Sequence, residues 1–121
     1  MSERLIIPRS VSEVEKLYIS GPMTGYPNYN YDAFELAACE LRGVGYDVFS
    51  PHEVKGGDEW SWADYIRADL PGVLGAQGIA VQNGWQESRG ARVEVELAQT
   101  LGLYVLRKDL WVSHKAISKE A

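Results

Sequence analysis

Reactive and metal-binding side chains are scarce in this sequence. Among its 121 residues there is one cysteine, Cys39, and there are two histidines, His52 and His114. A single cysteine excludes an intramolecular disulfide, and Cys39 lies in a helical pattern where we expect a small buried thiol. Neither histidine has a cysteine, histidine or carboxylate partner at the spacing of zinc ligands. We therefore expect neither a structural metal nor a cofactor.

Long apolar runs and an excess of positive charge are also missing. No apolar run approaches the length of about 18 residues that a membrane-spanning helix needs, and the N-terminus lacks the apolar segment of a signal peptide. We expect one domain over residues 1–121, in a reducing cytoplasm and without a membrane partner. The net charge of -5 argues against binding to polymeric nucleic acid but leaves open a pocket for a single nucleotide.

Familiar nucleotide-loop and hydrolase motifs are absent as well. The glycine loops GPMTG and GWQESRG contain neither G-x-G-x-x-G nor G-K-S/T, so they are not a dinucleotide fingerprint or a P-loop. A G-x-S-x-G elbow and a Ser/His/Asp set are not evident either. Carboxylates therefore remain as the candidate catalytic side chains.

Short apolar segments alternate with helical patterns four times along the chain. We predict strands over 16–20, 46–49, 78–82 and 103–106. We predict three helices between these strands. The first carries the apolar stripe Phe34, Ala37, Ala38 and Leu41. The second begins at a Ser61 cap and runs to about Leu70, where Pro71 makes its end uncertain, and the third follows Ser88. This alternation predicts an α/β domain, a Rossmann or flavodoxin-like three-layer fold whose parallel sheet has four to five strands in the order 2-1-3-4.

The two ends of the chain have weaker patterns. Residues 1–14 lack clear periodicity, so we expect a loosely ordered or edge segment. Residues 107–121 form a tail that could make a short helix, with Leu110, Trp111 and Ile117 available to dock on the domain or on another subunit.

Glu94 occupies an unusual position in the predicted helix from Ser88 to Leu101. At 100° per residue it falls in the middle of the apolar side, whereas Glu96 lies on the opposite side with Arg92 and Gln99. A carboxylate that faces a core costs several kcal/mol unless it is paired or hydrogen-bonded. Glu94 therefore either faces a functional pocket or makes a structural pair in the core, and we expect Glu96 to be a surface charge.

The start of the same helix favours an anion. Ser88 is a good N-cap, and Gly90 and Ala91 keep the first turn free of bulk, so backbone N–H groups and the positive end of the helix dipole can receive a phosphate or carboxylate. With the strand order 2-1-3-4, a crevice opens between the carboxyl ends of the first and third strands. The loop SGPMTG, the loop NGWQES and Glu94 then meet in this crevice.

A second carboxylate and a tyrosine are expected in the crevice. Asp69 lies on the preceding helix and Tyr18 on the first strand. Two carboxylates in different surroundings can serve as nucleophile and acid in the cleavage of a glycosidic bond. Asp69 could equally be a surface charge and Tyr18 a core aromatic. Trp85 could stack on a base or cap the core.

Three segments of the chain together resemble the nucleoside 2-deoxyribosyltransferase superfamily, which includes the 2'-deoxynucleoside 5'-phosphate N-hydrolases. They are Tyr18-Ile19-Ser20-Gly21-Pro22, Asp69, and Ser88-x-Gly90-Ala91-x-x-Glu94 with Ala98 and Gly102. The resemblance runs from about Tyr18 to Val105 and is greatest to short members common in phage genomes.

The resemblance implies a role for each matching residue. It makes Glu94 the nucleophile at C1' of the deoxyribose, Asp69 the acid that protonates the leaving base, and Tyr18 the residue that orients Glu94. It also implies two groups of substrate-binding residues. Those at the start of the last helix hold a 5'-phosphate: Ser88, Gly90 and Ala91. Those of the first loop close over the sugar or base: Ser20, Gly21, Pro22 and Met23. Trp85, which could stack on the base, completes the predicted substrate-binding set.

The resemblance implies cleavage or transfer at the N-glycosidic bond of a 2'-deoxynucleoside 5'-monophosphate or a 2'-deoxynucleoside, through a covalent glycosyl-Glu intermediate. Hydrolysis is favoured over transfer because the tail does not match the segment that completes a neighbour's site in the transferases. A homodimer or larger homo-oligomer is implied too, located in the host cytoplasm if the protein is phage-encoded. The alternatives are a non-catalytic nucleotide-binding module of the same fold and a purely structural or interaction protein.

Overall fold

A parallel four-stranded sheet forms the centre of the molecule. The computed structural model describes the backbone of residues 8–120 and the side chains of residues 8–116. Strands β1 (Lys16–Ser20), β2 (Asp47–Phe49), β3 (Gly78–Val81) and β4 (Tyr104–Arg107) pair in parallel in the order β2-β1-β3-β4. The predicted strand order is confirmed, and the sheet has four strands within the described part of the chain.

Helices cover both faces of the sheet and make it the middle of three layers. They are α1 (Tyr31–Gly43), α2 (Trp62–Gly75), α3 (Arg89–Thr100) and α4 (Lys108–Glu120). Apolar residues of α1 and α4 pack on one face of the sheet, and those of α2 and α3 pack on the other. The predicted α/β, Rossmann-like fold is therefore confirmed.

The alternation of side chains along β1 positions the candidate site. Leu17 and Ile19 lie in the core with α1 and α4, whereas Tyr18 lies in the core with α2 and α3. Successive residues of a strand point to opposite faces, so Ser20 shares the face of Tyr18. All four side chains are essentially inaccessible to solvent. Two hydroxyl groups of β1 are thus directed at the layer that holds α2 and α3.

Helix α2 is longer than expected. It continues through Pro71 to Gly75, although we expected it to run only to about Leu70. Proline removes one backbone donor from a helix, but packing compensates here. Val73 is fully buried, and the ring of Phe49 lies so close to Gly72 that a Cβ at that position would be 2.7 Å from it.

The N-terminal segment is more ordered than expected, whereas the C-terminal tail forms a helix and docks through Trp111, as its sequence allowed. Residues 1–7 lie outside the described part, but Val11–Glu13 forms a turn of 3₁₀ helix and Val14 is buried in the core. The tail forms a helix of 13 residues, and Trp111 docks on the domain's own core, where its indole N–H donates to the Ile79 carbonyl across 2.8 Å. The side chain of Ile117 lies outside the described residues.

Cys39 is exposed, so the expectation of a buried thiol was wrong. The buried residues of α1 are Phe34, Ala37, Ala38 and Leu41, and Cys39 falls beside this stripe rather than within it. None of the helices in the described residues is both long and apolar enough to cross a membrane.

Candidate active site

Helix α3 places Glu94 in the interior. Ser88 caps the helix by accepting a hydrogen bond from the Ala91 N–H across 3.2 Å, as its sequence position predicts. Ala91, Val95 and Ala98 face the core, and Glu94 lies among them with only 4% of its surface exposed. Glu96 is exposed, which confirms that the two carboxylates of α3 point in different directions.

Both carboxylate oxygens of Glu94 accept hydrogen bonds from β1. The Tyr18 hydroxyl donates to Oε2 across 2.6 Å, and the Ser20 hydroxyl donates to Oε1 across 2.7 Å. These lengths are those of hydrogen bonds from a hydroxyl to an ionised carboxylate. Because both donors are buried, they fix the rotation of the carboxylate as well as its position.

Asp69 supplies the second buried carboxyl group. It lies on α2 with 7% of its surface exposed, and its Oδ1 atom is buried without a hydrogen-bond partner in the described part of the protein. The charge of Asp69 acts on both Glu94 and Tyr18, so the three residues form one electrostatic unit. The structure thus brings together the three residues predicted to be catalytic.

The surroundings of this unit oppose the ionisation of all its members. Burial and, to a smaller extent, the charge of Asp69 raise the pKa of Glu94 to about 7 against the opposite effect of the two hydroxyl hydrogen bonds. Burial also raises the pKa of Asp69 to about 7. Burial and the two carboxylates raise the pKa of Tyr18 well above its ordinary value. Tyr18 therefore remains a hydrogen-bond donor at neutral pH.

The loop after β1 borders the unit. Gly21 lies against Gln82, the residue that follows β3, and a Cβ on Gly21 would be 3.0 Å from the Cβ of Gln82. Pro22 is buried, and its carbonyl accepts a 2.9 Å hydrogen bond from the Asn30 side chain. Met23 packs with the core on the α1 and α4 face. The loop therefore contacts the site through its first residues, and Met23 is directed away from Glu94.

The start of α3 is closely covered by α2. A Cβ on Gly90 would be 3.5 Å from Ile66 Cδ1 and 3.8 Å from Trp62 Nε1, and the Arg89 guanidinium lies 3.8 Å from the centroid of the Trp62 ring. The small residue at position 90 thus allows the close approach of the two helices. Trp85 is half-buried and packs on the core between the sheet and α3, which is the core-capping position considered above.

Gln82 is a polar residue of this region that the sequence analysis did not select. Its Nε2 atom is buried and has no partner in the described residues. The residue also lines a surface cavity of ≈ 380 Å³ beside α1, together with Asn30, Asn83 and Arg107. Gln82 directly follows β3, at the point where the strand order reverses, and this position could have been used to predict it as a site residue.

The residues described contain no cluster of three or more side chains able to hold a metal ion. The candidate site therefore consists of two carboxyl groups and two hydroxyl groups. A buried carboxylate held by donors is suited to nucleophilic attack, and a carboxyl group with a raised pKa is suited to proton transfer.

Comparisons with known proteins identify the family of the chain and a solved structure of similar fold. Residues 15–107, which extend from just before β1 to the end of β4, match the family described as "Domain of unknown function (DUF4406)". No curated protein matches the chain. A solved structure, described as the crystal structure of a conserved protein from Enterococcus faecalis V583, is similar in fold, with a TM-score of 0.58 and 21% identity. The alignment covers 76% of this chain and 61% of that one.

Proposed function

We propose that this protein, which belongs to the DUF4406 family, cleaves the N-glycosidic bond of a 2'-deoxynucleoside 5'-monophosphate or a 2'-deoxynucleoside. The observation that carries the proposal is the pair of buried carboxyl groups with unequal surroundings. Glu94 accepts two hydroxyl hydrogen bonds, whereas Asp69 has an oxygen with no partner in the described part of the chain. Such an asymmetry separates a nucleophile from an acid.

The first half of the reaction transfers the sugar to Glu94 and a proton from Asp69 to the leaving base. An oxygen of the Glu94 carboxylate attacks C1' of the deoxyribose, and the bond between C1' and the base nitrogen breaks. The bonding electron pair goes to the base, which takes a proton from Asp69 and leaves. The product is an ester between C1' and Glu94, reached through a transition state with oxocarbenium character.

The second half of the reaction returns Glu94 to a free carboxylate and Asp69 to its protonated form. A water molecule attacks C1' while the Asp69 carboxylate accepts its proton, and the ester electron pair returns to Glu94. The net reaction adds water to the substrate and yields free base and deoxyribose, or deoxyribose 5-phosphate from a nucleotide. Two displacements at C1' give net retention of configuration. A second base in place of water would give transfer instead of hydrolysis.

The hydroxyl groups of β1 support this assignment of roles. A nucleophile must be presented in one orientation, because effective molarity depends on alignment of the reacting atoms. Tyr18 and Ser20 supply that orientation with two short hydrogen bonds from a rigid central strand. The start of α3, capped by Ser88, carries the positive end of the helix dipole and supports a 5'-phosphate as the anionic part of the substrate.

A base-release assay tests the proposal. The protein is incubated with each of the four deoxynucleoside 5'-monophosphates and the four deoxynucleosides, and free base is measured by chromatography. We expect release from at least one substrate, and we expect Glu94→Gln to lower it by about 10³-fold or more because the nucleophile is lost.

Glu96→Gln is the matched control. It removes a carboxylate from the same helix, but from the exposed side, and release should continue at the normal rate. Absence of release from all eight substrates, or equal release by Glu94→Gln, contradicts glycosidic cleavage. Binding measured by tryptophan fluorescence in the absence of release would instead favour the nucleotide-binding module.

A further inference from the structure

Ser20 has no described partner for its hydroxyl group other than Glu94. The residue is completely buried at the end of β1, and its backbone carbonyl accepts a 2.9 Å hydrogen bond from the Gln82 N–H. The side-chain hydroxyl donates to Glu94 Oε1 across 2.7 Å. Its hydrogen is therefore committed to the carboxylate, although the resemblance described above implied a substrate-binding role for this residue.

The placement of the two hydroxyl groups favours one protonation state of Glu94. Tyr18 and Ser20 lie within hydrogen-bond distance of different oxygens of its carboxyl group. An ionised Glu94 accepts from both hydroxyl groups at once, whereas a protonated Glu94 becomes a donor at one oxygen and needs a hydroxyl group to accept there. Each donor consequently stabilises the ionised form.

Asp69 has the opposite surroundings. Its Oδ1 atom is buried and receives no hydrogen bond from the described residues, so this oxygen has no donor that would stabilise a negative charge. Desolvation without a donor favours the neutral acid. Tyr18 on β1 and Asp69 on α2 are the titratable groups whose charge or hydrogen bonding acts on Glu94, and Ser20 is the uncharged donor that remains.

We propose that Ser20 is a positioning residue that keeps Glu94 ionised and thereby leaves the proton of the carboxyl pair on Asp69. This inference rests on the proposed function, because that function requires a charged nucleophile and a protonated acid. Ser20 acts only through its hydrogen bond to Glu94, and no bond-making or proton-transfer step passes through its hydroxyl. Together with the Tyr18 hydroxyl, the Ser20 hydroxyl makes the surroundings of the two carboxyl groups unequal.

Carboxyl titration of the substrate-free protein tests this role. Carbon-13 labelled glutamate and aspartate are followed by NMR, and the Glu94 and Asp69 signals are identified by their loss in Glu94→Gln and Asp69→Asn. In Ser20→Ala, loss of one donor to a buried carboxylate should move the Glu94 titration upward by about one pH unit or more. The proton then resides more on Glu94, so Asp69 should ionise at lower pH than in the wild type.

Two further variants distinguish the effect of the Ser20 hydroxyl from a general effect of substitution on the fold. Ser20→Thr retains a hydroxyl and should restore most of the wild-type titration. Ser50→Ala removes another buried serine, whose hydroxyl contacts His52 rather than Glu94, and should leave the Glu94 titration unchanged. An unaltered Glu94 titration in folded Ser20→Ala, or an equal shift in Ser50→Ala, overturns the proposal.

The same variants give a kinetic result once a substrate is known. The acid limb of the pH dependence of kcat should move upward in Ser20→Ala and return in Ser20→Thr, because it reports the ionisation of the nucleophile in the complex. The NMR titration needs no substrate and decides the role of Ser20 by itself. Failure of the wild type to release any base would therefore count against glycosidic cleavage alone.

Discussion

The hydroxyl of Tyr18 donates to Glu94 Oε2 across 2.6 Å, although 76 positions separate the two residues in the sequence. The contact joins the central strand β1 to helix α3 inside the layer that also holds Asp69. The Tyr18 ring additionally stacks on Phe49, with 5.4 Å between ring centroids. One side chain thus packs the core through its ring and orients the candidate nucleophile through its oxygen.

Replacing Tyr18 by phenylalanine should separate these two functions. The ring and its stacking on Phe49 are kept, so we expect the variant to fold. Loss of a charge-assisted hydrogen bond should lower kcat for base release by about 10- to 100-fold. The acid limb of the pH–rate profile should also move upward, because a donor that favours ionised Glu94 has been removed.

The measurement is a pH–rate profile of wild type and Tyr18→Phe, with circular dichroism as the check on folding. Tyr104→Phe is a suitable control, since that hydroxyl contacts the Pro8 carbonyl far from Glu94. A lower rate with an unchanged acid limb would mean that Tyr18 acts on the substrate rather than on Glu94.

The buried carboxyl pair should make the protein less stable as pH rises toward neutrality. The pKa values of Glu94 and Asp69 are about 7 in the fold, compared with ordinary values of 4.5 and 3.8. Between about pH 4 and 7 the folded state therefore holds protons that the unfolded chain has released. The free energy of unfolding is highest near the low end of this window and falls as pH rises through the folded pKa values.

Urea unfolding at several values between pH 5 and 8 measures this slope. The raised pKa of Glu94 alone corresponds to a fall of about 3 kcal/mol in the free energy of unfolding across the window. We expect Glu94→Gln to flatten the slope, because the amide has no ionisation to disfavour. Glu96→Gln should retain the wild-type slope. A wild-type stability that increases over the same range would show that the two carboxyl groups do not carry raised pKa values.

Much of this arrangement is predictable because it follows from periodicity. Helical spacing alone separates buried Glu94 from exposed Glu96, and alternation of strands and helices predicts the sheet order that brings β1 beside β3. The same reasoning could have gone one step further. Tyr18 and Ser20 share a face of β1, so if Tyr18 points toward Glu94, Ser20 must point toward the same layer.

Other features depend on tertiary packing and have no local signal. Asn28, Tyr29 and Asn30 all adopt positive φ values of 49°, 52° and 61°. Asparagine tolerates this conformation, but tyrosine disfavours it by about 1–2 kcal/mol, so local propensity does not predict three such residues in succession. Asn30 precedes α1 but its side chain does not cap the helix, because it donates to the Pro22 carbonyl instead. The continuation of α2 past Pro71 likewise depends on burial of Val73 and on the ring of Phe49.

Asp69→Asn should reduce base release in a way that depends on the leaving group. With a natural base we expect a loss of about 10²- to 10⁴-fold, the usual contribution of a general acid. A deoxyriboside whose leaving group departs as a stable anion, such as p-nitrophenolate, needs no proton. The same variant should lose much less activity on that substrate, and the comparison is made by measuring both rates on one preparation.

An equal loss on both substrates would contradict the role of Asp69 as an acid. It would indicate that the carboxyl group positions the sugar or holds α2 in place. Asp64→Asn provides a control on the same helix, because Asp64 caps the N-terminus with Ser61 and lies away from the carboxyl pair. That variant should affect stability more than the rate of either reaction.

The C-terminal helix should contribute to stability within a single chain. Trp111 is completely buried, donates through its indole N–H to the Ile79 carbonyl, and accepts a 2.9 Å hydrogen bond from the Tyr46 hydroxyl at its own carbonyl. A Cβ on Gly78 would be 2.8 Å from the Trp111 ring, so the indole fills the space that this glycine leaves. We therefore expect Trp111→Ala to lower the free energy of unfolding by about 3–5 kcal/mol.

Leu110→Ala is the matched control on the neighbouring residue. Leu110 is 46% exposed, and its truncation should change the free energy of unfolding by no more than about 0.5 kcal/mol. Urea unfolding at several protein concentrations distinguishes docking within the chain from docking on a second copy. A midpoint that rises with concentration in the wild type but not in Trp111→Ala would show that the helix packs between subunits, because only an intermolecular contact follows mass action.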